Sequence, residues 1–364
     1  MQNIKIQKGR VLIYRVFDVG DEIFLNVAEK ELLKEEVSRL NLKLKVKRTI
    51  IIKQSPIKVN FGEDEIEIGG KNYTVFVSAK IWDYGVISIT LSINLSNMDW
   101  KKVIILSQEI EDSEEVDELS LKVMNSLKSK IIKAVQSPSD WEIFEDYTTF
   151  LIEKAENINS PSELIEKADI PALIMSESEN NLSSYSRHEA LKHILQYSEN
   201  DMAIIDWNSA LLFEPEGEMD VANVIEFSLT HLLELRYYEE GITRKLDSLY
   251  ESLGEKRPML LTLFKSKYGE IAEEASHKYI EFSEFLDRVE NSLKTVGDPY
   301  LAMIFRAAFE EFRFDDWRKS ISAKMQTLAN IAEMLQNEVN SMRNNWLEII
   351  IILLIAIEII PMVM

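Results

Sequence analysis

Cysteine is absent from all 364 residues. Its absence excludes disulfides, thiolate nucleophiles and sulfur-ligated metals, and makes a reducing compartment natural. Glycine is scarce, at 11 residues, and proline scarcer, at 8. No Walker-type phosphate loop, dinucleotide glycine fingerprint or nucleophile elbow occurs among them. The chain holds only 4 histidines. Two of them bracket His188-Glu189-Ala190-Leu191-Lys192-His193, but a spacing of five turns them about 140° apart on a helix, whereas zinc proteases place theirs four apart. No metal and no cofactor is expected. The start, Met1-Gln2-Asn3-Ile4-Lys5-Ile6, leads straight into a strand pattern, without the apolar core of a signal peptide or the Arg/Ser-rich run of a transit peptide.

Positive charge is also lacking: 41 Lys+Arg stand against 62 Asp+Glu, a formal net charge of −21. The deficit is uneven. Residues 1–60 carry 13 Lys+Arg and 7 Asp+Glu, net +6, leaving 28 and 55 for the remainder, net −27. An acidic body cannot neutralise phosphates along a nucleic acid, so no direct nucleic-acid binding is expected. The local exception is Leu42-Lys43-Leu44-Lys45-Val46-Lys47. Strict alternation there puts Lys43, Lys45 and Lys47 on one strand face, either a small basic patch for an anionic partner or a solvated, edge-protecting face.

What is present is a large apolar fraction, 46% of residues, enough for a sizeable core and for two soluble units plus a tail. The fold class read from the pattern is α+β. An N-terminal antiparallel or mixed sheet domain spans 1–136, with strands at 11–17, 42–53, 73–81 and 86–95 and helices from Trp100 to Val135. A mixed α/β region follows at 141–219, with short strands at 150–153 and 210–213, a helix at 162–175 and a polar loop at 176–186. Long helices occupy 220–345. Asp220 is placed to cap the first, and Gly297-Asp298-Pro299 to end one helix and start the next.

The last helix carries a heptad. Ile321, Leu328, Leu335 and Met342 alternate with Met325, Ala332, Val339 and Trp346 at spacings of four and three, which predicts one continuous seam facing a partner helix, in this chain or in a second copy. The seam runs into the longest apolar stretch of the chain, 346–364, whose only charges are Glu348 and Glu358. At about 1.5 Å per residue the stretch reaches roughly 28 Å, which predicts a single transmembrane helix with Leu347, Glu348 and Glu358 as its marker residues. The membrane is then the first partner, a homo-oligomer the second, and the location the cell membrane, single-pass, with the N-terminal part in the cytoplasm. The competing reading is a soluble oligomer that buries this helix.

Two further clusters bear on chemistry. Asp206-Trp207-Asn208 and Glu214-Pro215-Glu216-Gly217-Glu218 gather carboxylates that most simply belong to turns and helix starts; their convergence in a concave pocket would point instead to a hydrolase or ligand-binding site.

Arg343, Leu347, Glu348, the apolar run 349–357 and Glu358 resemble the tail of the "required for meiotic nuclear division" family, a class of domains of unknown function. Trp82-Asp83-Tyr84-Gly85-Val86-Ile87 is similar to that family's aromatic-Tyr-Gly-Val element, although Ser88 replaces a usual large apolar residue, and 226–239 is similar to its central helix but departs from its small-residue pattern. The resemblance covers about the last fifty residues. It implies a membrane-held organiser and not a catalyst, since mitochondrial members are inner-membrane proteins that support translation and form large assemblies. Without a transit peptide, this chain would correspond to a prokaryotic cytoplasmic-membrane relative. The function expected from the sequence is a non-catalytic, membrane-anchored scaffold that self-associates and organises partners.

Overall fold

The computed structural model describes residues 4–33, 35–39, 55–139, 141, 143–177, 181–254, 277, 280, 282–287 and 298–363. Lys43, Lys45 and Lys47 lie outside them. The chain forms two compact units, Met1–Glu234 with Asn291–Phe314, and Leu235–Glu290 with Asp315–Met364.

The first unit holds the described strands: β1 (Ile6–Asp18), β2 (Gly20–Ile23), β3 (Glu36–Arg39), β4 (Ile57–Ile68), β5 (Lys71–Ile81), β6 (Val86–Asn94), β7 (Val135–Pro138), β8 (Phe144–Ala155), β9 (Ile194–Leu195), β10 (Met202–Ile205) and β11 (Ser209–Phe213). Nine of them make one mixed sheet, ordered β3-β4-β5-β6-β1-β8-β11-β10-β9, while β2 and β7 pair apart. Every neighbouring pair in the large sheet is antiparallel except β8 with β11. The boundary expected between 136 and 141 does not separate two sheets, because β1 pairs with β8 from Ile6↔Ala155 to Phe17↔Phe144, and Ser137 and Pro138 belong to β7.

Alternation along β1 sends Val11 and Ile13 to one face and Leu12, Tyr14 and Val16 to the other, and all five are buried. The first face is apolar: Val59, Val77, Ile89, Leu91, Phe150 and Leu211 join one core with helices α1 (Leu25–Glu31), α2 (Trp100–Glu111) and α3 (Glu114–Ile131). Burying each such side chain stabilises by about 1.5–3 kcal/mol. Only Asp112 and Ser113 separate α2 from α3, so the acidic residues 109, 111, 114 and 115 are helical and not a turn. Ser113 caps α3 by accepting from Val116 N, and Glu114, Glu115 and Asp117 sit in its first turn, where the helix dipole favours them.

The second face is polar. Lys80, Ser88, Thr90, Tyr147 and Thr149 are all buried on it beside Tyr14, beneath the first half of α7 (Asp220–Gly254). Lys80 Nζ donates to Glu226 Oε2 at 2.5 Å and to Asn223 Oδ1 at 2.8 Å. The Ser88 hydroxyl donates to the other Glu226 oxygen, and Tyr84 Oη lies 2.6 Å from Thr230 Oγ1. The Tyr84-Gly85 step has a steric reason: Gly85 has φ +86°, and a Cβ there would stand 1.6 Å from the carbonyl oxygen of Gly20. No side chain fits that approach.

The helix expected at 162–175 is two short ones, α4 (Pro161–Lys167) and α5 (Ile170–Ile174). Asp169 restarts the chain by accepting from Ala172 N at 3.2 Å, with Pro171 in the new first turn. Part of the expected polar loop is helical as well: α6 (Ser184–Glu189) begins where Ser183 accepts from Ser186 N at 3.1 Å. The start signal at Asp298-Pro299 is realised in α8 (Pro299–Glu311), while Gly297 lies outside the described residues. Asp298 accepts there from Tyr300 N and Leu301 N at 2.8 and 3.1 Å.

In the second unit the described core comprises Tyr238, Ile242 and Leu246 of α7, Phe282 and Phe285, and Ile321, Met325 and Leu328 of α9 (Phe314–Val363). Lys324 Nζ ties the helices together through Glu239 Oε1 at 2.5 Å and Thr243 Oγ1 at 2.8 Å.

One sequence expectation is overturned here. Among the described residues no helix is long and apolar enough to cross a membrane. The transmembrane helix, the tail anchor marked by Leu347, Glu348 and Glu358, and the single-pass location at the cell membrane fall with it. The stretch also carries two acids, Glu348 and Glu358, each costly inside a bilayer. The uninterrupted apolar run between them covers only residues 349–357, roughly 13 Å of helix against a hydrocarbon core of about 30 Å.

Candidate functional site

Three segments of the first unit converge on a cavity of about 380 Å³. The first is the β10–β11 turn, Asp206-Trp207-Asn208. Asp206 N donates to Ser209 O at 2.9 Å, and the buried Tyr147 hydroxyl sits 2.9 and 2.6 Å from the carbonyls of Asp206 and Ser209. The turn is thereby fixed to β8, and the Asp206 side chain lines the cavity. The second segment is the end of α6 and the residues after it, which bring Glu189, Lys192 and His193. The third is the last residue of α8, Glu311. Met175, Tyr185 and Ile205 supply the apolar walls.

Electrostatics single out Glu311. Burial pushes its carboxyl above the usual carboxylate range, and Asp206 pushes it further; His193 and Lys192 act in the opposite sense without reversing it. Lys192 is engaged by Glu189 at 3.5 Å. A smaller cavity of about 190 Å³ adjoins, sharing His193 and Glu311 and adding Arg306 and Glu310.

The other carboxylates of 214–218 face elsewhere. Glu214, Glu216 and Glu218 line a cavity of about 450 Å³ with Asp201, Asp220 and Asp298. Tyr197 and Tyr300 meet there with ring centroids 5.4 Å apart. Burial first, then Asp201, Glu214 and Asp298, raise the Tyr300 hydroxyl's pKa well above normal, so the phenol stays protonated. Glu214, Glu216, Glu218 and Asp220 also take part in other interactions.

His188 and His193 are not brought together on one helix face: α6 ends at Glu189 and His193 lies beyond it. Among the described residues no group of three or more His, Asp or Glu side chains is placed to hold a metal ion. His231 is buried among aromatic rings, with Phe227 at 4.4 Å and Tyr84 at 5.5 Å. Glu311 was not among the residues singled out in the sequence, since a lone acid at the end of a helix carries no local signal.

The expected oligomer seam divides into two parts. Ile321, Met325 and Leu328 are buried within the chain, whereas Trp346 is half-buried. The side chains of Ala332, Leu335, Val339, Met342 and Glu358 lie outside the described residues. Past Trp346, the exposure rises. Leu347, the seven residues 349–355 and Ile357 are each 46–63% exposed.

No solved structure matches the chain. A curated relative, the uncharacterized protein MJ0711 of Methanocaldococcus jannaschii, is 25% identical over 174 residues. That alignment takes in 48% of this chain and 52% of the relative, so the chain spans about half the length of the relative it matches. The comparisons thus give a different family from the meiotic nuclear division resemblance. The family described as "Uncharacterized protein MJ0711, N-terminal domain" matches residues 8–220, from β1 to the first residue of α7 and more than half of the chain, and this protein belongs to that family.

Proposed function

We propose that this protein is a non-catalytic scaffold whose copies associate through the C-terminal end of α9. The single observation that carries the reading is the row of exposed aliphatic side chains at Leu347, 349–355 and Ile357. A helix that is apolar all round is stable in water only when it is covered. Together these side chains form a continuous exposed apolar surface of the kind that marks an interaction site.

A second copy fits this surface. Continued from Trp346 at steps of three and four, the heptad passes through Ile349, Leu353, Ala356 and Ile360, while Glu348 and Glu358 fall off the seam. Identical helices therefore meet without burying either acid against its twin.

The test is light scattering after gel filtration, on the full chain and on a form ending at Asn345. The expected result is a mass that is a multiple of 42.2 kDa for the full chain and a single-chain mass for the shortened form. A full chain that stays single, or two forms with equal assembly, would sink the proposal. So would flotation of the full chain with lipid vesicles in place of self-assembly.

A further inference from the structure

We infer that the cavity between the β10–β11 turn, the segment after α6 and the end of α8 binds a small organic cation: an ammonium group on an apolar body. Its volume, about 380 Å³, falls in the range of small-molecule sites. The inference does not depend on self-association, because every residue it uses lies in the first unit.

The chemistry follows from which charges are already satisfied. Glu189 and Lys192 neutralise each other across 3.5 Å. The carboxyl groups of Asp206 and Glu311 line the same space and have no hydrogen-bond or ion-pair partner among the described residues. Two such groups in one partly buried cavity cannot both stay ionised cheaply, and the upward push on Glu311 by burial and by Asp206 expresses that conflict. The other charges facing Glu311 are His193, Glu310 and Lys192, with Arg306 in the adjoining smaller cavity. None of them pairs with either carboxyl.

A ligand ammonium between Asp206 and Glu311 would supply the missing positive charge and draw the raised Glu311 carboxyl back toward its ionised form. The rest of the ligand would lie along Met175, Ile205 and Tyr185, whose side chains are aliphatic or aromatic. An aromatic neighbour also favours a cation over a neutral molecule of equal size.

The experiment is isothermal titration calorimetry of the full chain with benzylamine and with benzyl alcohol, its neutral isostere, in buffers of different ionisation enthalpy. Benzylamine should bind at least about tenfold more tightly than the alcohol, as expected of a charge-assisted contact. Its affinity should rise with pH through the titration of Glu311, and binding should release a proton to the buffer. Asp206→Asn should weaken benzylamine about tenfold or more, and Glu311→Gln should abolish the proton release. Glu214→Gln, in the separate larger cavity, should leave both unchanged. Circular dichroism checks that each variant is folded; if Asp206→Asn is not, proton release in wild type against Glu311→Gln decides. Equal affinity for amine and alcohol, no binding of benzylamine in the millimolar range, or proton release that survives Glu311→Gln would overturn the assignment.

Discussion

The two faces of the large sheet are covered in opposite ways. On one face Ile89, Leu91, Phe150 and their neighbours meet α2 and α3 mainly through apolar contact, with one ion pair to α3, Arg15 Nε to Asp117 Oδ1 at 2.6 Å. On the other, Lys80, Ser88 and Tyr84 reach up to Asn223, Glu226 and Thr230 of α7 through hydrogen bonds. An aliphatic face stabilises any helix with a matching stripe, so it gives strength with little preference for register. A buried ion pair contributes little net energy because desolvation offsets attraction. It does penalise every seating of α7 that leaves Lys80 or Glu226 unmatched. The difference teaches that α2 and α3 are held mainly by area and α7 by position.

The sharpest way to break this contrast is to remove one member of the pair. Glu226→Ala leaves Lys80 charged and buried, so unfolding in urea should show a loss of about 3–5 kcal/mol. Replacing both, as Lys80→Met with Glu226→Leu, should recover most of that loss. If the double variant is as unstable as the single one, position is not what the pair supplies. On the aliphatic face, Ile89→Val removes one methylene from a fully buried site, and the same measurement should show about 0.5–1.5 kcal/mol. An Ile89→Val effect above that of Glu226→Ala would reverse the comparison.

The smallest effect is expected at the rim of the polar face. Glu153 is buried, which pushes its carboxyl up, but Lys8 and Arg10 outweigh burial and hold it below the usual range. Arg10 Nη2 donates to Glu153 Oε1 at 2.9 Å, and Lys8 pairs with the other oxygen. A carboxyl whose folded pKa is depressed adds stability that is fully present above its unfolded pKa and is lost as pH falls through the folded one. Stability measured from neutral pH into the acid range should therefore decline less in Glu153→Gln than in wild type. Parallel curves would show that the pair adds nothing.

How much of this could be read from residues alone depended on the range of the interaction. The strands at 11–17, 73–81 and 86–95 correspond to β1, β5 and β6, because alternation is a property of a few successive residues. The cap at Asp298 was legible for the same reason. The helix expected at 162–175 broke at Asp169, where a side chain that could have stayed in the helix caps a new one instead. The transmembrane expectation accepted Glu348 and Glu358 within the apolar stretch, but among the described residues no helix is long and apolar enough to cross a membrane. Of the cavity, Asp206, Glu189, Lys192 and His193 were in view as separate clusters, and Glu311 was not.

Composition by itself determined that this chain does no thiol chemistry and that its body is acidic; local pattern determined which segments alternate as strands and where helices start. Only the tertiary structure decided that Asp206 and Glu311, 105 residues apart, line one cavity, and that Lys80 and Glu226, 146 residues apart, close the polar face. Pairing across such distances depends on sheet order and helix seating, which no window of neighbouring residues contains.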